Sequence, residues 1–163
     1  TLRTPQLNAQ GRPELRERSL NVQIPKGIRE GQHIRLAGQG TPGITGTSPG
    51  DLYLEIHFHP HKLYQVQGRD LSLSLPIAPW EAALGATAKA PTPNGVVEVK
   101  IPPGSQNGRK LRLKGRGIPG EPAGDLYLIL EVVLPPADSE RAQKIYHTMA
   151  QELAFNPRQA LGV

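Results

Sequence analysis

Two stretches of this chain are copies of one another, and that duplication constrains the fold more than any other feature. IPKGIREGQHIRLAGQGTPG begins at Ile24 and IPPGSQNGRKLRLKGRGIPG begins at Ile101. GDLYLEI and GDLYLIL follow them, from Gly50 and Gly124. The copies are 77 residues apart from Ile24 to Ile101 and 74 apart from Gly50 to Gly124, so the first carries a loop three residues longer. Two similar small units in tandem are therefore expected.

Each copy contains a glycine run, GQGTPG at 38–43 and GRGIPG at 115–120, with the G-x-G-x-x-G spacing of a dinucleotide-binding turn. That turn needs a strand before it and a helix after it, because the pyrophosphate sits on the helix N-terminus. Only EPAG separates Gly120 from the next strand-like run, and no helix fits in four residues that include a proline. Both runs are expected to be turns inside β-hairpins, and nucleotide binding is set aside.

The remainder of each copy has the period of two that marks half-buried strands. Leu20, Val22 and Ile24 alternate with polar neighbours over 19–24, and HIRLA, KLRLK, DLYLEIHF and DLYLILEVVL alternate likewise. Glycine and proline supply the turns between them. The expectation is two small antiparallel β units. With 37% hydrophobic and 4% aromatic residues the core must be Leu, Ile and Val, and 18 Gly with 17 Pro argue against a helical bundle.

Ahead of its I-P-P-G turn the second copy has an additional piece. A strand is expected over Asp70 to Pro76 and a short helix over Pro79 to Leu84, started by Pro79 and ended by Gly85. Two strands follow near 86–90 and 96–101. TLRTPQLNAQ at 1–10 would match ATAKAPTPNG, leaving the strand and short helix without a first-copy counterpart, so a fragment of a longer protein is expected. The tail changes character. From Asp138 to Leu153 there is no Gly or Pro, and Ala142, Ile145, Tyr146, Met149 and Leu153 fall on one helical face, with Asp138 or Ser139 to cap the start and Asn156-Pro157 to stop it. That apolar stripe must pack on its own domain or pair with a second copy of the chain.

Several chemistries are disfavoured. Without cysteine there is no disulfide framework, thiolate metal site or thiol nucleophile, which is compatible with a reducing cytoplasm. His57, His59 and His61 recur at every second residue, but Leu52, Leu54, Ile56 and Phe58 are the apolar set, so the histidines face solvent and no metal site is expected. Asp51 and Asp125 sit in the repeated Gly-Asp-Leu-Tyr turns, where an Asp serves the backbone, and no G-x-S-x-G elbow occurs, so no catalytic residue and no cofactor are expected. No apolar run approaches the roughly 20 residues needed to cross a bilayer. The formal charge of +5 favours acidic partners, nucleic acid among them. Arg109, Lys110, Arg112, Lys114 and Arg116 form a cationic stripe opposite Leu111 and Leu113, suited to phosphates by counterion release, or simply a solvated strand face. No aromatic residues interleave with these cations, which argues against base stacking.

I-P-x-G-x-x-x-G, R-L-x-G-x-G and G-D-L-Y-L, duplicated in that order, together with PWEAALG between the copies, resemble the C-terminal substrate-binding region of DnaJ-family (J-domain) co-chaperones from about Ser19 to the end. The absence of cysteine excludes the subclass with a zinc insertion, and APWEAALG at 78–85 with FNPRQALG at 155–162 looks most like the bacterial curved-DNA-binding branch. The resemblance implies an all-β fold: two tandem β-sandwich-like subdomains, at 1–65 and 66–136, followed by a C-terminal amphipathic dimerisation helix and tail at 137–163. It implies binding of unfolded client polypeptides for a DnaK-type ATPase chaperone, a homodimer, a cytoplasmic location and, in that branch, DNA binding at the nucleoid. The His-Pro-Asp triplet that stimulates the ATPase belongs to the family's J domain; the nearest run here is His59-Pro60-His61. By the same resemblance an extended client adds alongside a strand edge of the first subdomain, which places Leu20 and Leu54 in an apolar groove, Leu2 on the edge strand and Ile56 beside them. Ordinary core is the competing role for Leu20, Leu54 and Ile56. The dimer interface would hold Ile145, Tyr146, Met149 and Leu153, and Arg109, Lys110, Arg112, Lys114 and Arg116 would meet DNA. A nucleic-acid-binding β module and a purely structural dimerisation domain are the alternative functions.

Overall fold

The computed structural model of the chain describes residues 2–7, 12–41 and 48–162. In chain order the strands of the first repeat are β1 (Leu2–Leu7), β2 (Pro13–Arg18), β3 (His33–Leu36) and β4 (Leu52–Glu55). There follow β5 (Gln65–Gln67), β6 (Asp70–Ile77), α1 (Pro79–Leu84), β7 (Ala86–Thr92), β8 (Gly95–Ile101), β9 (Lys110–Leu113) and β10 (Leu126–Val132). The chain closes with α2 (Glu140–Glu152) and a 3-10 turn at Gln159–Leu161. It is an all-β fold with a helix near its C-terminus. Among the described residues no helix is long and apolar enough to cross a membrane.

β1 pairs with β2, β3 with β4 and β7 with β8, each as an antiparallel hairpin, and a four-stranded sheet runs in the order β5-β6-β10-β9. One expectation fails here. The units are not wholly antiparallel, since β10 lies parallel to β6 with Leu126, Leu128 and Leu130 in register with Leu71, Leu73 and Leu75. A parallel pair needs a long connection, and the segment carrying α1 and β7 to β9 provides it. The strand expected over 19–24 is also absent, because the second strand of the hairpin lies earlier, at Pro13–Arg18. Leu2 already pairs with Arg18, so the residues after Arg18 lie past the end of β1.

The core lies in the second repeat. Leu71, Leu73, Leu75 and Ile77 on β6, Leu126, Leu128 and Leu130 on β10, and Ala82 on α1 are buried together with Ala90, Val99 and Ile101. Each fully buried leucine contributes roughly 2 kcal/mol relative to leaving it in water. α1 is fixed at both ends. The Glu81 carboxylate accepts the Ala78 N–H at 2.8 Å, and the carbonyls of Ala82 and Ala83 accept the N–H groups of Ser105 and Gly104 at 2.9 and 3.0 Å. The I-P-P-G turn of the second repeat therefore caps the helix.

Candidate functional site

The two glycine runs join antiparallel strands, β3 to β4 and β9 to β10, as expected of hairpin turns. Pro42 and Gly43 of the first run lie outside the described residues. In the second run, Gly115 has φ +69°, a backbone conformation that favours glycine. A Cβ on Gly117 would stand 2.5 Å from the Asp125 carbonyl oxygen, so only glycine lets the loop approach β10. Asp125 holds the turn closed: its Oδ1 accepts the Gly115 N–H at 2.7 Å and its Oδ2 accepts the Arg112 Nε–H at 2.7 Å. The first repeat builds the same bracket, with Asp51 accepting from Gly38 at 2.9 Å and from Arg35 at 2.7 Å. The backbone N–H of Gly115 and the Arg112 guanidinium hold the Asp125 carboxyl below its ordinary range, as Gly38 and Arg35 do for Asp51.

That bracket divides the cationic stripe. Lys110 and Arg112 stand on the exposed face of β9, while Leu111 and Leu113 turn toward the core. Arg112, however, places Nη2 2.5 Å from Asp125 Oδ2, so its charge is already matched. Arg109 reaches Ser105 Oγ at 3.4 Å. Lys110, Lys114 and Arg116 are exposed and make no ion pair among the described residues. Tyr127 of β10 sits opposite Arg112, an aromatic neighbour that only the strand register reveals.

Leu2, Leu20, Leu54 and Ile56 are all half-buried. Leu54 pairs across the hairpin with Ile34, and Leu52 with Leu36, giving β3 and β4 one apolar face. Leu2 lies across from Arg18 on the other hairpin, and the Arg18 guanidinium donates to the Gln39 carbonyl of the first glycine loop. Arg18 thus ties the two first-repeat hairpins together. The hydrophobic alternation around it gave no sign of that role.

α2 begins two residues later than Asp138. Ser139 caps it, its Oγ accepting the Ala142 N–H at 3.2 Å, and Leu153 falls just past its end. The Tyr146 hydroxyl donates to the Pro135 carbonyl at 2.5 Å. Ile145, Met149 and Leu153 remain 60%, 43% and 66% exposed. Between α1 and α2 lies an apolar cavity of about 290 Å³, lined by Trp80, Pro135, Pro136, Ile145, Tyr146 and Met149. Trp80 in PWEAALG carried no sequence signal for this contact.

His57, His59 and His61 are exposed, just beyond the end of β4. His57 Nδ1 lies 3.0 Å from Glu30 Oε1, and His61 Nδ1 accepts the Leu63 N–H at 3.1 Å. Among the described residues no group of three or more His, Asp or Glu side chains could hold a metal ion.

The family model for the DnaJ C terminal domain matches residues 4–135. The chain belongs to that family. Every proposed groove and stripe residue except Leu2 falls inside the matched range, which ends at the proline that receives the Tyr146 hydroxyl. A curved DNA-binding protein of Coxiella burnetii is 49% identical over 162 residues, covering 99% of this chain and 52% of the relative. Curved DNA-binding proteins of Pseudomonas putida and Salmonella arizonae are 45% and 47% identical over 97% and 89% of this chain, and 50% and 48% of their own lengths. The chain therefore spans about half the length of these curated relatives.

Proposed function

We propose that this DnaJ C-terminal domain is the client-holding region of a non-enzymatic co-chaperone that delivers unfolded polypeptide to a DnaK-type ATPase in the cytoplasm. The observation that carries the reading is the half-buried apolar face of the first repeat, with Leu54 and Ile56 on it, and Leu20, past the end of β2, half-buried as well. An extended client supplies main-chain hydrogen bonds irrespective of its sequence, and the apolar face asks only for an apolar side chain. In this reading residues 1–65 receive the client, 66–136 form a rigid support, and 137–163 join two copies through Ile145, Tyr146, Met149 and Leu153, of which the single chain leaves Ile145, Met149 and Leu153 exposed and Tyr146 half-buried.

The deciding experiment is suppression of aggregation of a denatured model protein, with light scattering on the same sample. The chain should suppress aggregation as a dimer, and Leu54→Ser should weaken binding of an apolar peptide. Ile145→Asp with Met149→Asp should yield monomers, since buried unpaired charge would cost several kcal/mol at the interface. Inactivity as a holdase would sink the reading.

A second reading, nucleoid DNA binding, is favoured by the name shared by the three relatives and by Lys110, Lys114 and Arg116, which make no ion pair among the described residues. Replacing Lys110, Arg112, Lys114 and Arg116 by Gln should flatten the salt dependence of DNA affinity by roughly one unit per lost phosphate contact. Arg112 should contribute least, because Asp125 already holds it.

A further inference from the structure

A cleft of about 500 Å³ separates the two repeats. One wall is the turn from Pro25 to Arg29, and the other is Arg69 with Gly120 and Glu121 at the end of the second glycine run. The walls meet backbone to backbone: a Cβ on Gly27 would stand 3.1 Å from the Pro119 carbonyl oxygen and 3.2 Å from Gly120 Cα. In the second repeat the equivalent turn caps α1, whereas here it is turned against the neighbouring repeat. Lys26, Arg29, His33 and Arg69 line the cleft together with the carboxylate of Glu121. Among the described residues Lys26, Arg29 and Arg69 form no ion pair, and Arg69 donates only to the Pro122 carbonyl, at 3.3 Å.

We propose that this cleft is a seat for the phosphate backbone of duplex DNA. The proposal rests on the nucleic-acid reading above and deepens it by adding a contact between the repeats. Three permanent cations face one carboxylate within a concavity, and low-dielectric walls of one dominant sign focus potential outward. These charges differ in kind from Arg35 and Arg112, which Asp51 and Asp125 neutralise. The loop from Lys114 to Glu121 leads from the stripe of the second repeat to the rim of the cleft, so the two groups of cations are joined through one loop. Contacts of this type fix register on the duplex and are indifferent to base sequence.

The test is fluorescence anisotropy of a labelled duplex titrated with the chain over a range of salt. Lys26→Gln with Arg29→Gln and Arg69→Gln should reduce the slope of log affinity against log salt by roughly 2 to 3 units, at about 0.9 per phosphate, and lower affinity at least about tenfold at low salt. The pair Lys26→Gln and Arg29→Gln alone spares the half-buried Arg69 and should reduce the slope by roughly two. Glu121→Gln should raise affinity. If the unmodified chain fails to bind the duplex, the nucleic-acid reading itself falls and takes the cleft with it. If it binds and the pair leaves affinity and slope unchanged, the reading stands and the cleft proposal is overturned. Losses seen with poly-glutamate but not with the duplex would reassign the cleft to acidic polypeptide and overturn it as well.

Discussion

Leu54 and Leu128 hold the same place in the repeated Gly-Asp-Leu-Tyr-Leu run, yet Leu54 is half-buried and Leu128 is fully sealed from water. Their own strands are alike: each pairs antiparallel with the strand before it across a glycine loop held by an Arg–Asp bracket. The difference comes from the neighbours. β10 is flanked on its other side by β6, whose leucines meet its own in register, and Ala82 of α1 joins the same core. Among the described residues β4 pairs with β3 alone, and its own apolar residues Leu52 and Leu54 are only half-buried. A strand's pattern says which face is apolar; whether that face becomes core or binding surface depends on what is laid against it.

The largest effect expected from this contrast is on stability. Leu128→Ala opens a cavity in a closed core and should cost about 3 to 5 kcal/mol, whereas Leu54→Ala should cost under about half of that because its site is already half open. Denaturant unfolding of the two variants measures the difference directly. Equal losses would mean that the first repeat closes over Leu54 in solution, and the proposed client face would go with it. For the same reason Leu128 is a poor control for client binding, since its loss would be confounded by unfolding.

Next in size come the glycine loops, where the repeats should agree. A Cβ on Gly40 would stand 2.7 Å from the Asp51 carbonyl oxygen, nearly the approach that Gly117 makes to Asp125. Gly40→Ala and Gly117→Ala should each destabilise by roughly 1 to 3 kcal/mol through overpacking. Asp51→Asn and Asp125→Asn should follow, with the greater fall in melting temperature at Asp125, the more buried of the two. Both carboxyls are depressed below the ordinary 3.8, so their contribution is present above that value and is lost as pH falls through the lower folded values. A melting temperature unmoved by either substitution would reduce the bracket to decoration on a turn held by glycine alone.

Much of this was legible in the sequence, for a physical reason. Strand alternation and helix capping are local, so β6, the whole of α1 from Pro79 to Leu84, β9 and β10 could be placed to within a residue or two. The repeat likewise marked its hairpins. What escaped was long-range. The parallel pairing of β6 with β10 depends on residues far apart in sequence, and β5 is too short to show a period. The displacement of β2 away from 19–24 depends on where β1 runs out. At the candidate sites the charges of the stripe were countable but their partners were not. Arg112 looks like its neighbours until β10 sets Asp125 beside it, and Lys26, Arg29 and Arg69 come together only when the repeats meet at Gly27 and Gly120.

The smallest predicted effect is the most discriminating, because the repeats answer the same backbone need with different chemistry. Just past β4, the N–H of Phe58 is taken by the carboxylate of Glu30; at the matching place at the end of β10, the N–H of Val132 is taken by Asn107 Oδ1 at 2.9 Å. Asn107 cannot titrate. Glu30 can, and it also holds His57, which lies 3.0 Å from Glu30 and 3.6 Å from Glu55. The hydrogen bond to Glu30, with the Glu55 charge beside it, raises the imidazole above its ordinary 6.5, while the Phe58 N–H and His57 lower Glu30 below 4.5. A raised imidazole stabilises fully below 6.5 and loses that contribution as pH climbs through its folded value; a lowered carboxyl stabilises above 4.5 and loses it as pH drops through its own. The Glu30 contact of the first repeat is therefore tightest between those two values and loosens on either side, whereas the Asn107 contact of the second is indifferent. In a pH series of amide spectra the Phe58 resonance should move with an inflection above 6.5 and the Val132 resonance should stay in place. Glu30→Gln should give the first contact the neutral character of Asn107 and return the His57 titration toward 6.5. A Phe58 amide that ignores the imidazole titration, or a Val132 amide that follows it, would remove the distinction between the Glu30 and Asn107 contacts.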